Sequence, residues 1–94
     1  MMFKKVCIIG CGLIGSSLAR AIKKNNLAEK VVSSNRSDFV NKKVIELKIV
    51  DDSSSDTKKM VEESDLIVIA TPLSSYKDVI LKIKDSLNKG TIVT

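Results

Sequence analysis

Three glycines at Gly10, Gly12 and Gly15 follow the apolar run Val6-Cys7-Ile8-Ile9 and precede a helical pattern. The spacing G-x-G-x-x-G is weak by itself, but here it stands between a buried strand and an amphipathic helix, the setting in which it has a physical meaning. Gly10 lets the chain turn tightly out of the strand. Gly12 has no side chain, so a dinucleotide's pyrophosphate can approach the backbone. Gly15 lets the helix pack closely on the strand. The N–H groups at the helix start, near Leu13 and Ile14, then face an anion that the helix dipole favours. The alternative is a glycine-rich turn that holds no ligand. A Walker-type phosphate loop is excluded, because no Gly-Lys-Ser/Thr follows. Cys11, at a variable position of the loop, reads as a small residue filling a tight turn, against a thiol whose pKa the helix start lowers.

The rest of the chain alternates between the two periodicities. Lys4 to Ile9 reads as the first strand. In the helix that follows, Ile14, Leu18, Ala21 and Ile22 share one face, with Arg20, Lys23 and Lys24 opposite and Asn25-Asn26 at the end. Lys30 to Asn35 is the second strand. Ser37 and Asp38 cap a helix with an apolar face of Val40, Val44 and Leu47. A short third strand falls somewhere in the polar tract Asp51 to Asp56, and Asp56 caps a short helix through Met60 and Val61. Leu66-Ile67-Val68-Ile69-Ala70 is the clearest strand. Ser75, with Asp78 at capping-box spacing, opens a helix with Tyr76, Val79, Ile80, Ile83 and Leu87 on one face. Asn88-Lys89-Gly90 ends it, and Thr91 to Thr94 begins a fifth strand. Strands alternating with helices imply right-handed crossovers and a parallel sheet. The expected class is therefore α/β, a Rossmann-type open parallel sheet of order 3-2-1-4-5, truncated after the fifth strand. Residues 1–94 form one dinucleotide-binding domain, incomplete at its carboxyl end.

Composition narrows the function classes. Aromatics are 3% of the chain, so the core must be Ile, Val and Leu, as in buried parallel strands. The net charge of +5 comes from scattered pairs such as Lys23-Lys24 and Lys42-Lys43. Few aromatics are interleaved for base stacking, so these lysines read as solvated faces and not as a nucleic-acid surface. No apolar run approaches the roughly 20 residues of a membrane span. The stretch Val6 to Ile9 is too short for a secretory signal. Cys7 and Cys11 lack the spacing of a zinc site or a disulfide framework. The expectation is a cytoplasmic chain with reduced thiols, no metal, and no nucleic-acid or membrane partner.

Two further segments bear on the ligand. In this fold the residue ending the second strand reads the adenosine ribose, and a carboxylate there favours NAD over NADP. This chain has Asn35, then Arg36 and Ser37. Arg36 is suited to a 2′-phosphate and to the adenine face, and Ser34 and Ser37 offer hydroxyls. The expected cofactor is NADP in preference to NAD; otherwise Arg36 is solvated and the site accepts either. After the fourth strand, Thr71 offers a hydroxyl near the nicotinamide ribose and Pro72 stiffens the turn, unless the turn is purely structural.

Gly10-Cys11-Gly12-Leu13-Ile14-Gly15-Ser16-Ser17-Leu18-Ala19 resembles the start of the prephenate/arogenate (cyclohexadienyl) dehydrogenase family. Ser64 to Pro72 is similar to that family's fourth strand and loop, and Lys89 to Thr94 to the segment before its Asp-Val-Gly-Ser-x-Lys stretch. The resemblance covers nearly the whole chain. It implies an oxidative decarboxylation in tyrosine biosynthesis, in which hydride passes from the ring of prephenate or arogenate to the nicotinamide and the ring carboxylate leaves as CO2. It also implies a full-length homodimer whose second domain closes the substrate site. The family's catalytic Ser and His cannot be placed here: the chain has no histidine and stops before the Asp-Val-Gly-Ser segment. No catalytic residue is therefore assigned, and the chain alone is expected to be inactive. The alternatives are another reductase with this cofactor fold, of pyrroline-carboxylate or β-hydroxyacid type, and a non-catalytic nucleotide-sensing domain.

Overall fold

The structure is a computed structural model and describes residues 2–10, 12–70, 73–84 and 92–93. Its element order is β1 (Phe3–Ile9), α1 (Leu13–Lys24), β2 (Ala28–Ser34), α2 (Asp38–Glu46), β3 (Asp52–Ser54), α3 (Thr57–Val61), β4 (Leu66–Ile69), α4 (Leu73–Ile83) and β5 (Ile92–Val93). All strand pairings are parallel. The sheet runs β3-β2-β1-β4, with the two residues of β5 beside Leu66 and Ile67. Thr91 and Thr94, the ends of the expected fifth strand, lie outside the described residues.

β1 is central because it is apolar on both faces. Val6, Cys7, Ile8 and Ile9 are all buried, and period-two alternation sends them in opposite directions. Val6 and Ile8 join Ala19 and Ile22 of α1, Val31 of β2 and Val44 of α2 in one core. Cys7 and Ile9 join Val32 of β2, Met60 and Val61 of α3, Ile67 of β4 and Ile83 of α4 in the other. The result is a three-layer α/β/α sandwich, in which burying each aliphatic side chain contributes roughly 1.5–3 kcal/mol.

Several elements differ in detail from the sequence expectation. α1 buries Gly15, Ala19 and Ile22, while Ala21 is exposed and Leu18 half-buried. The stripe turns toward its smallest residues because the helix lies close to β1. The side chain of Ile14 is outside the described residues. At the end of α1, Asn25 donates to the Ala21 carbonyl (2.8 Å) and Asn26 adopts φ 53°, a left-handed conformation that asparagine tolerates. β2 starts two residues earlier than expected, at Ala28. In α2, Ser37 accepts from the Val40 N–H as the cap expected (3.3 Å), but Leu47 is 54% exposed. The helix has ended by then: Lys48 takes φ 59°, and Ile49 and Val50 enter the core in place of Leu47. Asp56 caps α3 by accepting from Lys59 N–H. α4 begins at Leu73, so Ser75 lies inside it instead of opening it. Ile83 is buried and Val79 and Ile80 half-buried, as that helix's face requires. The side chain of Tyr76, and Leu87 and Asn88-Lys89-Gly90, are outside the described residues.

Candidate dinucleotide site

The glycine loop leaves the carboxyl end of β1 through Gly10, whose φ of 84° is a conformation that side-chain-bearing residues rarely adopt. Gly10 N–H donates to the Ser34 carbonyl (2.9 Å), anchoring the loop to β2. Its own carbonyl accepts from Gly12 N–H (2.9 Å), closing the turn. A Cβ on Gly15 would lie 2.9 Å from the Gly10 carbonyl oxygen and 3.2 Å from Ile8 Cγ2. That closeness is why α1 can rest against β1 at this point.

Gly12 is different. A Cβ built on it meets nothing within 4 Å, and the residue is exposed. It is the N-cap of α1, with no side-chain cap. The first bond of the helix is Ser16 N–H to the Gly12 carbonyl (2.8 Å). The i→i−4 ladder therefore does not use the N–H groups of Leu13, Ile14 and Gly15. Open space over Gly12 beside a helix start with no acidic residue in its first turn suits an anion of pyrophosphate size. The side chains of Leu13 and Ile14, and all of Cys11, are outside the described residues.

The second part of the site follows β2. Asn35 does not simply face outward. Its Nδ2 donates to Asn41 Oδ1 (3.0 Å), with longer contacts to Ser53 Oγ (3.3 Å) and Ser33 Oγ (3.4 Å). Asn41, buried on α2, returns a bond from its Nδ2 to the Asn35 carbonyl (3.0 Å). Ser53 completes the cluster, donating to Asn41 Oδ1 (2.6 Å) and meeting Ser33 Oγ at 2.7 Å. Ser34, expected to offer a free hydroxyl, is buried and bonded to Thr57 Oγ1 at 2.8 Å, because an unpaired hydroxyl there would carry the cost of lost hydration. Arg36 and Ser37 are exposed, and Arg36 forms no ion pair among the described residues. The structure thus brings Asn35, Arg36 and Ser37 to the same sheet edge as the glycine loop. Asn41, Ser33 and Ser53 were not anticipated. The signal lay in Asn41 itself, a polar residue three before Val44 on the buried stripe of α2. Thr71 and Pro72 are outside the described residues.

Two ionisable groups nearby serve structure. Burial pushes the Cys7 thiol up to about 12, against a smaller lowering by Lys5, so it stays protonated in the core. Burial would also raise Asp51, but the Val31 N–H bond (2.9 Å), the Lys23 bond (2.9 Å) and the charges of Lys23 and Lys30 together hold it below its usual value. Asp51 ties α1 to the start of the β2–β3 pairing. No cluster of metal-binding side chains occurs among the described residues, and no described helix is long and apolar enough to cross a membrane. An open depression lined by Met2, Phe3, Lys4, Glu29 and Asp65 lies at the opposite, amino edge of the sheet. Ligands of open α/β sheets bind at the carboxyl edge, so that depression is not the dinucleotide site.

This geometry has counterparts in known proteins. Residues 5–94 match the family described as NADP oxidoreductase, coenzyme F420-dependent. A prephenate dehydrogenase of Lactococcus lactis is 34% identical over 92 residues, which are 97% of this chain and 25% of that protein. A cyclohexadienyl dehydrogenase of Zymomonas mobilis is 34% identical over 98% of this chain and 31% of its own length. The crystal structure of prephenate dehydrogenase from A. aeolicus in complex with hydroxyphenyl propionate and NAD+ superposes with a TM-score of 0.90 at 18% identity, over 99% of this chain and 33% of that one. The chain spans about a quarter to a third of these proteins. With a parallel sheet, a glycine turn feeding α1 and a match over residues 5–94 in hand, the chain belongs to the NADP oxidoreductase, coenzyme F420-dependent family, and is a nucleotide-binding domain related to the prephenate and cyclohexadienyl dehydrogenases.

Proposed function

We propose that this chain is the cofactor-binding part of a cytoplasmic prephenate or arogenate dehydrogenase and that it takes NADP in preference to NAD. The observation that carries the proposal is the open space over Gly12 at the start of α1, framed by a Gly10 turn and a Gly15 contact that exclude side chains. In this reading Gly10, Gly12 and Gly15 shape the cradle, and the N–H groups of Leu13 and Ile14 hold the pyrophosphate. Arg36 and Ser37 meet the 2′-phosphate of the adenosine ribose beside Asn35, and Thr71 and Pro72 border the nicotinamide end. The bound nicotinamide supplies hydride acceptance. The chain's own residues bind and orient it, and none is assigned to proton transfer. The relatives' printed names support the substrate class, while prephenate or arogenate and a dimeric partner are engaged by the complete enzyme.

The cofactor proposal is tested by calorimetric titration of NADP and NAD into the wild-type chain and Arg36→Ala. Wild type is expected to bind NADP more tightly. The variant should lose about tenfold in NADP affinity, equivalent to roughly 1.4 kcal/mol and typical of one charge-assisted hydrogen bond, with NAD affinity nearly unchanged. Equal or tighter binding of NAD by wild type overturns the preference.

A further inference from the structure

Asn41 touches the chain at two points of one residue. It accepts a bond from the Asn35 side chain and donates one to the Asn35 carbonyl, both at 3.0 Å. The same Asn41 oxygen accepts from Ser53 at 2.6 Å, so the clamp is anchored to β3 as well as α2. Asn41 is buried (4% exposed), and a buried amide with its bonds made is held in one orientation. Asn35 is thereby fixed at both side chain and carbonyl, and the next residue along the chain is the exposed Arg36. A long flexible side chain binds an anion more tightly when its backbone is already ordered, because less freedom is lost on binding.

We infer that Asn41 is a positioning residue for cofactor choice. By clamping Asn35 it draws that side chain into the protein and presents Arg36 to the 2′ substituent of the adenosine ribose, although it does not itself touch the cofactor. The inference rests on the dinucleotide reading of this site and adds to it a determinant of specificity outside the glycine loop and the segment Asn35-Arg36-Ser37. A buried asparagine serving packing alone gives a different result when removed: stability and affinity for both cofactors fall together, and their ratio stays.

The test is the ratio of NAD to NADP dissociation constants, measured on the full chain for wild type, Asn41→Leu, Arg36→Ala and the double variant. Asn41→Leu is expected to lower the ratio about two- to tenfold, the range for an arginine that must be ordered on binding instead of beforehand. In the Arg36→Ala background the same substitution should leave the ratio unchanged, since the residue it acts through is gone. Asn41→Ser, which keeps a hydroxyl in the buried cluster, carries the same expectation if Asn41→Leu does not fold. An unchanged ratio in a folded Asn41 variant, with Arg36→Ala still lowering it, overturns the positioning role and leaves the cofactor reading standing. A wild-type chain that binds neither dinucleotide overturns the cofactor reading itself.

Discussion

At the scale of single residues, the two helix-end glycines of the loop do different jobs, and the difference is measurable. Gly15 has no room for a Cβ, because the obstacle 2.9 Å away is backbone. Gly12 has ample room in the folded chain. Gly15→Ala is therefore expected to destabilise the fold by about 1–3 kcal/mol, the usual effect of overpacking, and to weaken cofactor binding by moving α1 off β1. Gly12→Ala should change stability by less, up to about 1 kcal/mol for a poorer N-cap, yet abolish binding by filling the pyrophosphate approach. Chemical denaturation and calorimetry on both variants check this. Equal stability losses, or intact binding in Gly12→Ala, would contradict it. The tight turn at Gly10 and the close packing at Gly15 were legible because each is dictated by backbone geometry. The Asn41–Ser53 cluster was less so: Asn41 stands on the buried stripe of α2, but only folding places it and Ser53 within hydrogen-bond reach of Asn35.

At the scale of elements, legibility followed hydrophobic content. β4 is an unbroken aliphatic run and β1 ends in the buried apolar run Val6 to Ile9, and both were placed from sequence within a residue or so. β3 is Asp52-Ser53-Ser54, and nothing in that tripeptide marks a strand. It forms because Ser33 and Ser53 bond each other across the β2–β3 pair and because Asp51 holds the entrance to that pairing. Asp51 accepts from Val31 N–H and from Lys23, while its own N–H donates to the Val31 carbonyl (2.7 Å). Its carboxyl is held below the usual value in the folded chain, so its contribution to stability is complete above the unfolded-state pKa of about 3.9 and is lost as pH falls through the lower folded value. In urea melts between pH 7 and pH 2, wild type should lose stability below about pH 4 more steeply than Asp51→Asn, which has no proton to take up there. Parallel pH profiles for the two proteins would show that Asp51 does not couple folding to protonation. α1 and α4 show a second limit of sequence reading. An amphipathic pattern fixes that a helix exists, but the closeness of β1 shifted the buried stripe of α1 to Gly15 and Ala19, and the start of α4 precedes its apolar face.

At the scale of the whole molecule, the described residues proposed to meet the cofactor lie at the carboxyl edge of one parallel sheet. β1 delivers the glycine turn and β2 delivers Asn35-Arg36-Ser37, and Gly10 N–H joins the two by its bond to the Ser34 carbonyl. The amino edge, with Met2, Glu29 and Asp65, carries an open depression. The most direct measurement is an amide chemical-shift titration of the 15N-labelled chain with NADP. The account predicts saturable shifts concentrated at Gly10, Gly12, Leu13, Ile14 and Gly15 and at Arg36 and Ser37, with Glu29 and Asp65 unmoved. Absence of binding, or shifts centred on the amino edge and not on the glycine loop, would contradict it.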